Sequence, residues 1–165
     1  MENAVEIKRG IVSSNTIPVD IISLALAQGL KISYFNPAQS KSNTLEDVAG
    51  LLDKSNKVVY INSTDSLERQ RFTIAHELGH YIYNHDEDKY GLNYRDGNRN
   101  RNSAEKQADD FAAEVLMPSP IVHRKLKEYS DAHPTISEIA SLFGVSKDAM
   151  RVKLDNMGLL STVKI

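Results

Sequence analysis

From Pro18 onward, apolar residues recur at short regular intervals, and those intervals predict a run of elements. Pro18 fits the first turn of a helix reaching about Gln28, with Ile21, Ile22, Ala25 and Leu26 as its apolar face and Gly29 ending it. KISYF at 31–35 alternates as a strand and stops at Asn36 and Pro37. LEDVAGLLD at 45–53 fits either a strand bent at Gly50 or a short helix, whereas the β-branched and aromatic KVVYIN at 57–62 is a strand. The turn NSTDS then opens a long helix over about 66–84. Residues 84–103 are polar and read as a long loop, either a solvated connection or a lid that contacts substrate. Helix resumes from Ala104 to about Leu116, where Pro118 and Pro120 forbid its continuation. Three short helices follow at 120–129, 135–143 and 146–157.

The fold class this predicts is α+β: a mainly helical domain with a small sheet of about three strands and a C-terminal helical segment. Its division is a core over 1–118 and a segment over 119–165 packed on the same domain. That segment, ISEIASLFGVSKDAMRVKLDNMG at 136–158, is laid out as a helix-turn-helix, with a helix ending at Gly144 and Ser146 capping the next. Ile136, Ile139, Ala140, Phe143, Val145, Met150 and Leu154 make its expected core. The second helix offers Lys147, Arg151 and Lys153, offset by Asp148 and Asp155, which is thin for phosphate or base contact. Packing or protein recognition is the better use of such a segment than direct DNA binding.

Composition narrows the chemistry. The 165 residues suit one compact domain, and 41% hydrophobic with 25% charged residues is a globular balance. A net charge of −2 provides no overall positive field toward nucleic acid or an anionic membrane. The absence of cysteine removes disulfides and thiolate metal sites, so any metal must be held by imidazole and carboxylate. The N-terminus lacks the features of a signal peptide, and the longest apolar run, IISLALA, is too short to span a bilayer. A cytoplasmic protein is expected.

Against this background one stretch stands apart. RFTIAHELGHYIYNH at 71–85 places His76 and His80 four residues apart on one helix, with side chains about 5–6 Å apart at their β-carbons. Both imidazoles can therefore converge on one ion. Glu77, rotated by about 100° from His76, lies off the ligand line yet beside the ion, where it can touch water without being a ligand. Phe72 and Tyr83 flank the same line, so this face is partly enclosed.

Catalytic zinc takes three protein ligands and leaves one position open. In the second helix, with Glu105 taken as zero, Phe111, Val115, Ala108, Ala112 and Leu116 fall on an arc from about 240° up through zero to about 20°. Glu105 thus lies inside an apolar arc, where a carboxylate is costly unless paired or bound to a metal. Asp109, one turn on, can accept the outer ring N–H of a ligating histidine. Two alternatives stand beside this: Asn102 and Glu105 form an N-x-x-E helix-capping pattern, and His85 is a competing third ligand, though about 180° round the helix from His76. A His76/His80/Glu105 site holding one Zn²⁺ per chain would let Glu77 take a proton from a water attacking a carbonyl carbon and pass it to the leaving amine. Other divalent ions also suit nitrogen and oxygen ligands. Tyr81, Tyr83, His85 and His123 are candidates for a second oxyanion donor, and KVVYIN is either an ordinary paired strand or an exposed edge that holds substrate in extended form.

RFTIAHELGH, EKQADDFAAEVLMP and FGVSKDAMRVKL together resemble the ImmA/IrrE family of metallopeptidases, over about residues 18–158. The resemblance implies His76, His80 and Glu105 as zinc ligands and Glu77 as catalytic base. It differs at Asp109, where the family more often has Asn. It also implies a cytoplasmic bacterial or phage protein that cleaves a helix-turn-helix repressor and so relieves repression of a mobile element or a stress regulon. The competing expectations are a DNA-binding regulator with a structural metal, and a partner-binding or antitoxin-like protein without turnover.

Overall fold

Two glycines and one long helix set the architecture. The computed structural model describes residues 3–39, 47–85, 92–94, 103–129 and 132–164. Its elements in chain order are α1 (Ala4–Ser14), α2 (Ile21–Ala27), β1 (Lys31–Phe35), β2 (Val48–Asp53), β3 (Val58–Asn62), α3 (Leu67–Ile82), β4 (Leu92–Tyr94), α4 (Ser103–Leu116), α5 (Ser119–Glu128), α6 (Ile136–Phe143) and α7 (Lys147–Asn156). The fold is α+β and mainly helical, as the periodicity predicts. Among the described residues no helix is long and apolar enough to cross a membrane.

The strands form one mixed sheet in the order β1-β3-β2-β4, with β1 parallel to β3 and the other pairs antiparallel. The ambiguous 45–53 stretch is therefore a strand from Val48. The fourth strand, β4, lies inside the stretch read from sequence as loop; residues 86–91 and 95–102 of that stretch, and with them the Asn102 cap, fall outside the described residues. β3 is bonded on both sides, so KVVYIN is an ordinary paired strand and the exposed-edge alternative does not hold. Asn62 at its end is fully buried; its Nδ2 donates to the Val48 carbonyl and its Oδ1 accepts from the Thr64 amide.

α3 lies across this sheet, capped by Ser66, whose side chain accepts from the Arg69 amide. A Cβ on Gly50 of β2 would come 2.5 Å from Thr73 Cγ2 of α3 and 2.9 Å from the Tyr60 carbonyl. Glycine at 50 is what lets the helix sit down on the strand. On its flank α3 packs along α4, where a Cβ on Gly79 would lie 3.1 Å from Phe111 Cδ1 and 3.2 Å from Ala108 Cα.

Two helices differ from expectation. α1 is an additional helix, capped by a reciprocal Asn3–Glu6 box and burying Ala4, Ile7 and Ile11. α2 starts at Ile21 behind its Asp20 cap, not in the turn of Pro18, and buries Ile21 and Ala25 while Ile22 and Leu26 face solvent. The run IISLALA contains more apolar residues than one face of a seven-residue helix can bury.

The C-terminal helices carry the turn expected of them, with Gly144 in the left-handed conformation and Ser146 capping α7. All seven of the expected core residues there are buried. The segment is fastened to the rest by two cations. Arg71 of α3 donates from Nε to the Gly144 carbonyl at 2.9 Å and from Nη2 to the Val19 carbonyl at 2.9 Å. Lys153 of α7 is buried and paired with Glu114 of α4. Burial pushes the Glu114 carboxyl up, but hydrogen bonds from Lys153 and Ser119 reverse this and hold it below the usual carboxylate range. Lys153 is thus committed to packing, and of the three basic residues read on this helix only Lys147 and Arg151 are exposed.

Candidate metal centre

The Gly79 contact brings α3 and α4 close enough for side chains one turn apart on each to meet. His76 and His80 project from α3 toward Glu105 and Asp109 of α4. The His76 Nε2 and His80 Nε2 atoms lie 2.9 Å apart. Glu105 Oε1 is 3.2 Å from His80 Nε2, and Glu105 Oε2 is 3.5 Å from His76 Nε2. One ligand atom from each of these three residues lies within 4.8 Å of the others. Glu105 therefore reaches across to both histidines, an arrangement that could hold a metal ion.

The outer nitrogens are occupied. His76 Nδ1 is 2.8 Å from Asp109 Oδ1, the contact anticipated for Asp109 from the helical wheel. His80 Nδ1 is 3.0 Å from His85 Nδ1. With their outer faces engaged, both rings turn the remaining nitrogen inward, and two imidazoles and a carboxylate form a donor set suited to Zn²⁺. His76 is 1% exposed. Burial alone would push its pKa down, but hydrogen bonds to Asp109 and Glu105 and the nearby Glu77 charge lift it to about 9. A cation at this point is strongly favoured by the surrounding carboxylates, whether a proton or a metal. Glu77 is 4% exposed, beside His76 on the buried side of α3.

His85 lies elsewhere than the helical wheel puts it. α3 ends at Ile82, and Asn84, with φ of 52°, turns the chain back so that the His85 amide donates to the His80 carbonyl. The ring then sits against His80, stacked on Tyr83 at a centroid distance of 5.6 Å. It meets the outer nitrogen of His80 and not the inward group, so it is not a third ligand, and its two ring nitrogens are already partnered by His80 and Gln107. Of the other suggested oxyanion donors, Tyr83 packs edge-on to Phe111 and His123 is exposed on α5. Gln107 is a site residue the sequence reading missed; it lies two positions beyond Glu105, on a surface position with no periodic signal.

Residues 26–155 match the family model described as the IrrE N-terminal-like domain, a peptidase family. The radiation response metalloprotease IrrE of Deinococcus radiodurans is 34% identical over 99 residues, covering 59% of this chain and 30% of that protein. Its counterpart in Deinococcus deserti is 31% identical over 99 residues, covering 59% of this chain and 35% of that one. The chain thus matches these curated relatives over about a third of their length. Among solved structures, a Mycobacterium tuberculosis transcriptional regulator superposes with a TM-score of 0.59 over 92% of this chain and 46% of its own, at 15% identity, a likeness of fold.

Proposed function

Since this chain belongs to the IrrE N-terminal-like peptidase family, we propose that it is a zinc-dependent endopeptidase that cuts a protein substrate at a specific site. The observation that carries the proposal is the convergence of His76, His80 and Glu105 beside a buried Glu77. In this reading the three converging side chains hold one Zn²⁺ and Asp109 orients His76. Zinc so held supplies a Lewis acid that polarises a carbonyl and acidifies water. Glu77 accepts the proton of the attacking water on its carboxylate and delivers it to the departing amine nitrogen. Because Glu77 is enclosed, its carboxylate acts where bulk water does not compete for the proton.

The substrate we assign is a helix-turn-helix transcriptional repressor, whose cleavage relieves repression of a mobile element or a stress response. This rests on the resemblance carried by RFTIAHELGH and EKQADDFAAEVLMP; the relatives named as radiation response metalloproteases support the protease and stress-response parts of the reading. The site is proposed to work in the cytoplasm. The commitment of Lys153 to packing weighs against α7 as a DNA-reading helix.

The test compares wild type with Glu77→Gln, each loaded with zinc and incubated with a repressor encoded beside the gene, with intact mass as readout. Both proteins are expected to hold about one zinc per chain, and only wild type to give a discrete cut, the variant being slower by about 10²–10⁴-fold. A stable complex with no cleaved product would replace the peptidase by a partner-binding protein. Absence of zinc from both would remove the metal centre.

A further inference from the structure

Besides its amide, bonded to the His80 carbonyl, His85 is held at four points although it lies beyond the end of α3. Its Nδ1 faces His80 Nδ1 at 3.0 Å, and its Nε2 lies 2.9 Å from Gln107 Oε1 on α4. Its ring stacks on Tyr83, and its carbonyl accepts from Lys54 Nζ at the β2–β3 turn. Two imidazole nitrogens facing each other at this distance share one proton, and the remaining question is which ring owns it.

Gln107 answers it. An amide oxygen only accepts, so Nε2 of His85 carries the hydrogen that Oε1 receives. With the His85 hydrogen on Nε2, its Nδ1 offers the lone pair that faces Nδ1–H of His80. His80 then keeps its own lone pair on Nε2, the atom 2.9 Å from His76 Nε2 and 3.2 Å from Glu105 Oε1. Donor and acceptor order along Gln107, His85 and His80 runs one way only, dictated by the end that has no choice.

We propose that His85 and Gln107 are positioning residues: a two-residue relay that holds the hydrogen of His80 on Nδ1 and presents Nε2 to the metal. The inference deepens the peptidase reading and rests on it. The two histidines are prepared by different means. Asp109 acts on His76 directly and with charge, whereas His80 is prepared through a second imidazole and an uncharged amide on the surface of α4.

Three variants test the relay. His85→Phe keeps a ring against Tyr83 but removes the acceptor. His85→Asn restores an acceptor oxygen near the position of Nδ1. Gln107→Lys, at an exposed position, replaces the terminal acceptor with a donor and so reverses the order of the chain. The readouts are zinc affinity by chelator competition, and the His80 tautomer by long-range ¹H–¹⁵N correlation in metal-free, histidine-labelled protein. His85→Phe is expected to weaken zinc binding by about 10–100-fold, with His85→Asn recovering most of the loss. Gln107→Lys is expected to move the His80 proton from Nδ1 to Nε2 and to weaken zinc binding with it. A His85→Phe protein that binds zinc within about twofold of wild type, in a range where such contacts matter by tenfold or more, overturns the relay while leaving the peptidase reading intact. A wild-type His80 protonated on Nε2 does the same. Wild type that takes up no zinc overturns both.

Discussion

His76 carries opposing demands. Its raised pKa, about 9, means that the metal-free protein holds a proton where the zinc would sit. A group whose folded pKa lies above its unfolded value stabilises the fold fully below the unfolded pKa, about 6.5 for histidine, and that contribution is lost as pH rises through 9. Metal binding has the opposite sign, since the ion must displace the proton. Zinc affinity is therefore expected to rise by about tenfold per pH unit between roughly 6.5 and 9 and then flatten, while the metal-free protein loses stability over the same window. Asp109→Asn removes the leading partner that lifts His76 and should move the flattening to lower pH. Chelator-buffered zinc titrations at a series of pH values, paired with urea melts of the metal-free protein, check both slopes; a pH-independent affinity would contradict the assignment of the proton to His76.

At the level of elements, the site is a product of how closely α3 and α4 approach. A methyl group on Gly79 would meet Ala108 Cα at 3.2 Å and its carbonyl oxygen at 3.4 Å, backbone atoms that yield only if the whole of α4 moves. Alanine improves helix propensity by about 1 kcal/mol, but the overpacking should outweigh it. Gly79→Ala is expected to lower stability by about 1–2 kcal/mol and to weaken zinc binding, because Glu105 and Asp109 ride on the displaced helix. An unchanged melting curve with unchanged affinity would show that the two helices have room to spare. The same two helices explain what the sequence could reveal. The relations of His76 to His80 and of Glu105 to Asp109 repeat at one helical turn, so a wheel recovers them, and Glu105 was recognisable as a carboxylate inside an apolar arc. The wheel fails for His85 because the chain leaves the helix at Ile82 and reverses at Asn84. α1 did leave a signal, in Asn3–Glu6 and the spacing of Ile7 and Ile11, but β4 did not. Three residues, LNY, inside a polar stretch become a strand by pairing with β2, and the interior place of β3 is likewise set by pairing with β1, which precedes β2 in the chain.

On the scale of the molecule, buried residues from Ala4 to Val163 form one hydrophobic cluster, and the C-terminal helices close it through Arg71 and Lys153. Lys153→Ala leaves the half-buried Glu114 without its cation and is expected to cost about 2 kcal/mol. If the cluster unfolds as one unit, amide protection should fall equally in α7 and in α3; protection lost in α6 and α7 alone would mark the tail as a separately melting piece. α3 is fastened at both ends, with Arg71 tying its first half to the α6–α7 turn and Lys54 holding the carbonyl just past its last turn. Small zinc domains fold only when the ion arrives, so for them losing it means collapse. Here the large core is expected to hold both ligand-bearing helices in place without the ion. In a cell short of zinc, such a protein would fall silent without becoming debris for the degradation machinery, and it would regain its activity as soon as the metal returned.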